Sequence, residues 1–148
     1  MKKLIIVRHG HYGDDLRLND YGRSAINTLA TKLVPEVNEK SRLILTSTAD
    51  RARESAEIMS IVLGTRYEEH RVLWSDSEHN WNLVWALNLV HKHEHVEILT
   101  LVTHFEYAEY FPSYFGKEFL KTEFKSHEIN KAEAWIIDCP LKTLRHVC

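Results

Sequence analysis

Short apolar runs alternate with longer amphipathic ones along this chain. Lys3-Leu4-Ile5-Ile6-Val7 is continuous and rich in branched residues, which predicts a strand buried on both faces. A polar loop holding Gly10 and Gly13 follows. Beyond Asp20, the residues Ala25, Ile26, Leu29, Leu33 and Val34 share one face of a predicted helix, and Pro35 closes it. Arg42-Leu43-Ile44-Leu45-Thr46 predicts a second strand. A helix from about Ala49 to Leu63 comes next, with Ala52, Ala56, Met59 and Leu63 as its apolar stripe and Gly64 at its end. Tyr67 to Leu73 reads as a short edge strand, and Trp81 to Val90 as a helix burying Val84, Trp85 and Leu87. Val96 to Thr103 and Ala134 to Asp138 are two more strands. This alternation predicts an α/β fold, a three-layer sandwich around a mostly parallel sheet.

Composition narrows the classes that fit. The 148 residues are 44% hydrophobic and 27% charged, with Gly 5 and Pro 3, and they contain no repeat or linker. A single domain spanning residues 1–148 is expected. The formal net charge of -2 argues against a nucleic-acid partner or a polybasic membrane anchor. No apolar run approaches the roughly 20 residues that cross a bilayer. Met1-Lys2-Lys3 resembles a signal-peptide start, but the apolar stretch stops at Arg8, so export is not expected. Cys139 and Cys148 form no CxxC pair, and a reduced, cytoplasmic chain is expected. Ten histidines are the oddity, because histidine changes charge near neutral pH.

The chemistry gathers where strong strands end. The first ends in Arg8-His9-Gly10, the second in Thr46-Ser47 with Arg51 in the first turn of the next helix, and the third in Thr103-His104. Ligands of open parallel sheets sit outside the carboxyl ends of the strands, so two arginines and two histidines reach one rim. That set suits phosphoryl transfer. Arginine offers a planar fork of charge-assisted donors to a phosphate dianion. A neutral imidazole can attack phosphorus, and neighbouring arginines favour the neutral form. Arg53, two positions from Arg51, faces another side of its helix and is read as a solvated surface charge.

These residues resemble a family. Arg8-His9-Gly10 after a buried first strand looks like the signature of the histidine phosphatase (phosphoglycerate mutase-like) superfamily. Leu18 to Ala25 is similar to its "L-T-x-x-G-x-x-Q-A" segment, and Thr46 to Ala56 to its "S-S-P-x-x-R-A-x-E-T-A" segment. Leu101-Val102-Thr103-His104 resembles the strand carrying its second catalytic histidine. The resemblance implies the phosphoglycerate mutase-like fold and a metal-independent phosphatase with no cofactor. In it His9 becomes phosphorylated, while Arg8, His9, Arg51 and His104 form the phosphate pocket. A carboxylic acid from the loop after the second helix would protonate the leaving oxygen, with Glu78 as first candidate and Asp76 as its rival. The implied partner is a phosphorylated small molecule or a phosphoprotein. The family's usual residues after its two histidines are replaced here by His11, Tyr12 and Phe105. A non-catalytic phosphate-binding module and a phosphomutase are the alternatives.

Two features stand apart from that resemblance. His91-Lys92-His93-Glu94-His95 invites a metal reading, yet it lies between a predicted helix and a strand and supplies no closed ligand set, so a solvated connector is expected. The aromatic stretch Phe105, Tyr107, Tyr110, Phe111, Tyr114, Phe115 and Phe119 reads as core for half of its members. The remainder could form a substrate wall or a dimer patch.

Overall fold

The computed structural model describes residues 1–148, whose six strands form one sheet. The chain order is β1 (Lys3–Arg8), α1 (Asp20–Leu33), β2 (Arg42–Thr46), α2 (Asp50–Leu63), β3 (Tyr67–Glu69), α3 (Leu83–Lys92), β4 (Ile98–Thr103), α4 (Phe105–Phe115), β5 (Ala134–Asp138) and β6 (Thr143–Val147). In space the strands run β3-β2-β4-β1-β5-β6. The first four are parallel, and β5 and β6 pair antiparallel at one edge. The three-layer α/β expectation holds.

Strand alternation explains the layers. Leu4 and Ile6 of β1 point to one face with Leu43, Leu45, Leu99 and Leu101, where α3 and α4 cover them. Ile5 and Val7 point to the other with Ile44, Ile98 and Val102, under α1 and α2. Four central strands buried on both sides need the unbroken branched runs that the sequence contains.

Several boundaries differ from the sequence reading, each for a local reason. Tyr67 to Leu73 is not one strand, because pairing with β2 stops at Glu69 and a 3-10 turn covers Arg71–Leu73. The third helix starts at Leu83, where the Asn82 side chain accepts the Val84 N–H as an N-cap. It buries Ala86, Leu87, Leu89 and Val90, whereas Val84 and Trp85 stay about half exposed. In α1, Val34 is likewise exposed and the N-cap is Asn19. Strand β6 is not predicted by the hydrophobic pattern, because its exposed and partly buried positions carry no apolar run. Of the aromatic stretch, Tyr107, Phe111 and Phe115 are core and Tyr110 is exposed.

The connection between β1 and α1 is held by close backbone contact. Gly22 lies in the first turn of α1, and a Cβ there would collide with the carbonyl group of His11. Gly10 is also crowded, with Ile26 Cγ1 2.8 Å from where its Cβ would stand. Gly22→Ala is therefore expected to cost about 3 kcal/mol in urea unfolding, since the obstacle is backbone and not a pliable side chain. A loss well under 1 kcal/mol would show that the loop relaxes freely.

Candidate active site

Register puts the two histidines side by side. Arg8 of β1 pairs with Thr103 of β4, so the next residues, His9 and His104, leave adjacent strands at the same height. From there α1 departs over one face of the sheet and α4 over the other. Between them opens the crevice in which doubly wound sheets bind ligands. Strand β2 lies on the other side of β4 and delivers Ser47 and Arg51 to the same end.

The structure brings Arg8, His9, Arg51 and His104 together. The ring centroids of His9 and His104 are 5.0 Å apart. His9 Nδ1 lies 2.8 Å from the Gly10 carbonyl oxygen, which can only accept, so that nitrogen carries the proton. Nε2 is left with its lone pair and faces Arg51, whose Nε–H donates to it at 3.3 Å. Arg51 Nη2 is 3.5 Å from His104 Nδ1, and His104 Nε2 is 2.8 Å from Ser47 Oγ. Because a guanidinium only donates, the neutral tautomer of His104 places its proton on Nε2 and an open Nδ1 toward the crevice.

Burial sets the charge of both rings. His9 and His104 are 4% and 2% exposed. Desolvation, and then Arg51, Arg8 and Lys131, bring the His9 pKa down to about 3. Desolvation, His9 and Arg51 bring His104 down to about 2. Without an anion both are neutral throughout the physiological range. Cationic charge at the site comes instead from Arg8, Arg51 and Lys131. Arg8 Nη1 donates to the Ile129 carbonyl at 2.7 Å and its guanidinium lies over the Phe105 ring, while its buried Nε has no partner.

Three aromatic side chains, Tyr12, Phe105 and Trp74, stand against the pocket residues. Tyr12 stands edge-on to His9 and lies 4.9 Å from the Arg51 guanidinium, with Lys131 at 5.0 Å from the same ring. Trp74 is stacked between His79, 3.9 Å away, and His104, 5.9 Å away.

The two carboxyl candidates go elsewhere. Glu78 is exposed and lines a separate surface groove with Arg71, Val72, His79, Asn80 and Trp85. Its backbone N–H bonds Asp76, and its side chain makes no hydrogen bond or ion pair with any of the four pocket residues. Asp76 accepts from Trp74 Nε1, from the Glu78 and His79 N–H groups and from His79 Nδ1, at 2.7 to 2.9 Å. Desolvation resists its charge, but these bonds prevail and bring its pKa down to about 2. An ionised acceptor with four donors positions Trp74, and through it the face of His104.

Sequence reasoning missed the supports of the site. Glu54, 5% exposed, accepts from Arg17, Arg23 and the Leu18 N–H and so clamps the loop after His9 onto α2. Ser55 Oγ accepts the Gly10 N–H. Both lie in the Thr46–Ala56 segment that carries the family resemblance, which is where a sequence signal for them exists. The loop before β5 had no signal. There Ala132, at φ 59°, donates its N–H to the Arg8 and His9 carbonyls and brings Lys131 to the crevice. Arg53 pairs with Asp50 on the surface, apart from the crevice.

Among solved structures, the chain is similar to the protein histidine phosphatase SixA complexed with tungstate. Identity is 19%, covering 98% of this chain and 96% of that one, with a TM-score of 0.70. It is also similar to mycobacterial glucosyl-3-phosphoglycerate phosphatase Rv2419c, at 13% identity over 99% and 97% of the two chains and a TM-score of 0.70. The product of open reading frame Rv3214 from Mycobacterium tuberculosis matches at 17% identity over 99% and 95%, with a TM-score of 0.61. No family model and no curated protein sequence matches the chain. The fold is phosphoglycerate mutase-like. In this fold the chain places His9, Arg51 and His104 around one crevice, and no helix is long and apolar enough to cross a membrane.

Proposed function

We propose that the chain is a histidine phosphatase, residues 1–148 acting as one catalytic domain, which hydrolyses phosphorylated substrates through a phospho-His9 intermediate. The observation that carries this is the neutral His9 ring, with its Nδ1 proton spent on Gly10 and its Nε2 lone pair facing the Arg51 guanidinium. A dianionic phosphoryl group held by Arg8, Arg51 and His104 would present phosphorus to that lone pair. The Nε2–P bond forms as the bond to the leaving group breaks, and the leaving atom departs with the electron pair. Arriving negative charge offsets part of what keeps His104 neutral, so His104 takes up a proton on Nδ1 and donates it as a hydrogen bond to a phosphoryl oxygen. Water then attacks phosphorus, the Nε2–P bond breaks, and inorganic phosphate leaves. No step of this reaction calls on a cofactor.

The state of the carboxyls supports one substrate class over another. Asp76 is held ionised, and Glu78 faces a different groove. Alkoxide leaving groups need a proton donor, whereas the imidazole of a phosphohistidine departs neutral once its second nitrogen is protonated. We therefore favour a phosphoprotein carrying phosphohistidine over a small phosphomonoester. The solved likeness described as a protein histidine phosphatase fits this choice. The free cysteines Cys139 and Cys148 fit a reducing, cytoplasmic setting.

The test is a rapid quench after mixing with a phosphohistidine peptide or an aryl phosphate. An acid-labile, alkali-stable phosphoryl group on His9 is expected, with the peptide consumed at least about tenfold faster than the ester. Glu78→Gln should leave the peptide rate unchanged. Tungstate binding without turnover or label on either substrate would sink the enzyme reading and support a phosphate-binding module. A Glu78→Gln variant that slows only ester hydrolysis would restore the acid role and the phosphomonoester choice.

A further inference from the structure

We propose that Glu68, His70 and His93 form a binding site for one divalent transition-metal ion of the zinc class, separate from the phosphate crevice. The three come from different elements: Glu68 from β3, His70 from the turn after it, and His93 from the C-cap of α3. One donor atom from each lies within 4.8 Å of the others. The histidine run was expected to be a connector because it closed no ligand set by itself. Folding adds the missing partners from a segment more than 20 residues earlier in the chain.

Each donor is already prepared for an ion. His93 Nδ1 lies 2.9 Å from the Leu89 carbonyl oxygen, which fixes the proton on Nδ1 and leaves the Nε2 lone pair for ligation. A backbone acceptor behind a ligating imidazole is how metal-binding histidines are usually oriented. Glu68 spends one carboxylate oxygen on Arg66 at 2.7 Å, and its other oxygen faces His70 Nε2 at 3.6 Å. That separation is too long for a hydrogen bond, and His70 Nε2 is buried with no partner. It is close to the spacing of two ligands on one tetrahedral ion, roughly 3.4 Å for metal–ligand bonds of about 2.0–2.1 Å. The His70 and His93 rings are 5.8 Å apart between centroids, so drawing all three donors onto one ion takes a small rotation of partly exposed side chains.

The donor set selects the ion. Two imidazoles and one carboxylate suit zinc and its neighbours, whereas magnesium and calcium want oxygen ligands. A fourth position would be filled by water. His95, exposed and 6.4 Å from the His93 ring, is not required. Bound there, the ion would tie the end of β3, an edge strand of three residues, to the end of α3.

The experiment uses the untagged full chain, freed of metal with a chelator and titrated calorimetrically with Zn2+. One ion per chain is expected, unaffected by excess Mg2+, together with a thermal midpoint about 8 °C higher at hundredfold excess over Kd. His70→Asn and His93→Asn should each weaken binding about tenfold or more, while His95→Asn should not. Co2+ in place of Zn2+ should give visible bands that the His93→Asn variant loses, which reads the ligand directly. Binding unchanged in both variants, or lost on His9→Asn instead, would overturn the site. No readout depends on phosphatase activity, so this proposal and the proposed function stand or fall separately.

Discussion

His9→Asn is expected to abolish the covalent phosphoryl label and to lower kcat by about 10^4 or more. The size follows from what the ring supplies. An amide of similar shape keeps polar atoms near Gly10 and Arg51 but has no lone pair basic enough to attack phosphorus. Arg8, Arg51 and His104 would remain, so tungstate should still bind. Binding retained with chemistry lost separates a nucleophile from a residue that only shapes the pocket. A variant that keeps more than about a hundredth of wild-type turnover would remove His9 from the nucleophile role.

Acid should destabilise the protein earlier than its carboxylates can explain. The folded pKa values of His9 and His104 are brought down to about 3 and about 2, mainly by desolvation, whereas in the unfolded chain each would titrate near 6.5. Below pH 6.5 the unfolded state therefore binds more protons than the folded one, and stability falls as pH falls until the folded pKa values are reached. Each histidine contributes about 1.4 kcal/mol per pH unit in that window. Allowing for the coupling between the two rings, the pair removes about 3–5 kcal/mol between pH 6.5 and 4.5. That is a large part of a typical 5–15 kcal/mol. Urea midpoints across this range should drop steeply in wild type and flatten in a His9→Asn, His104→Gln double variant. Tungstate should also flatten the slope, because a bound oxyanion stabilises His104 in its charged form. The depressed carboxyls Glu54 and Asp76 act in the same direction, but below about pH 4. A wild-type midpoint that stays level from pH 7 to 5 would show that the two rings are open to water.

The site was legible in part, and residue type explains which part. His9 and His104 directly follow strongly apolar strands, and a strand's direction delivers its next residue to the sheet rim without any knowledge of distant contacts. Arg51 could be chosen over Arg53 because a helix separates residues two apart onto different faces. Glu78 and Asp76 could not be resolved this way. Both lie in a loop, where the direction of a side chain depends on which donors fold against it. Trp74 and His79 captured Asp76, and Glu78 was left in solvent.

The sequence by itself determined the α/β class, the two-sided burial of β1, β2 and β4, and the rim residues, because side-chain periodicity and strand-end position are local properties of the chain. Tertiary structure alone decided the strand order that makes His9 and His104 neighbours, the weakly patterned β6, the clamp of Glu54 on the loop after His9, and the meeting of Glu68 and His70 with His93. Each of these rests on hydrogen bonds or packing between segments far apart in sequence, and no window along the chain contains both partners.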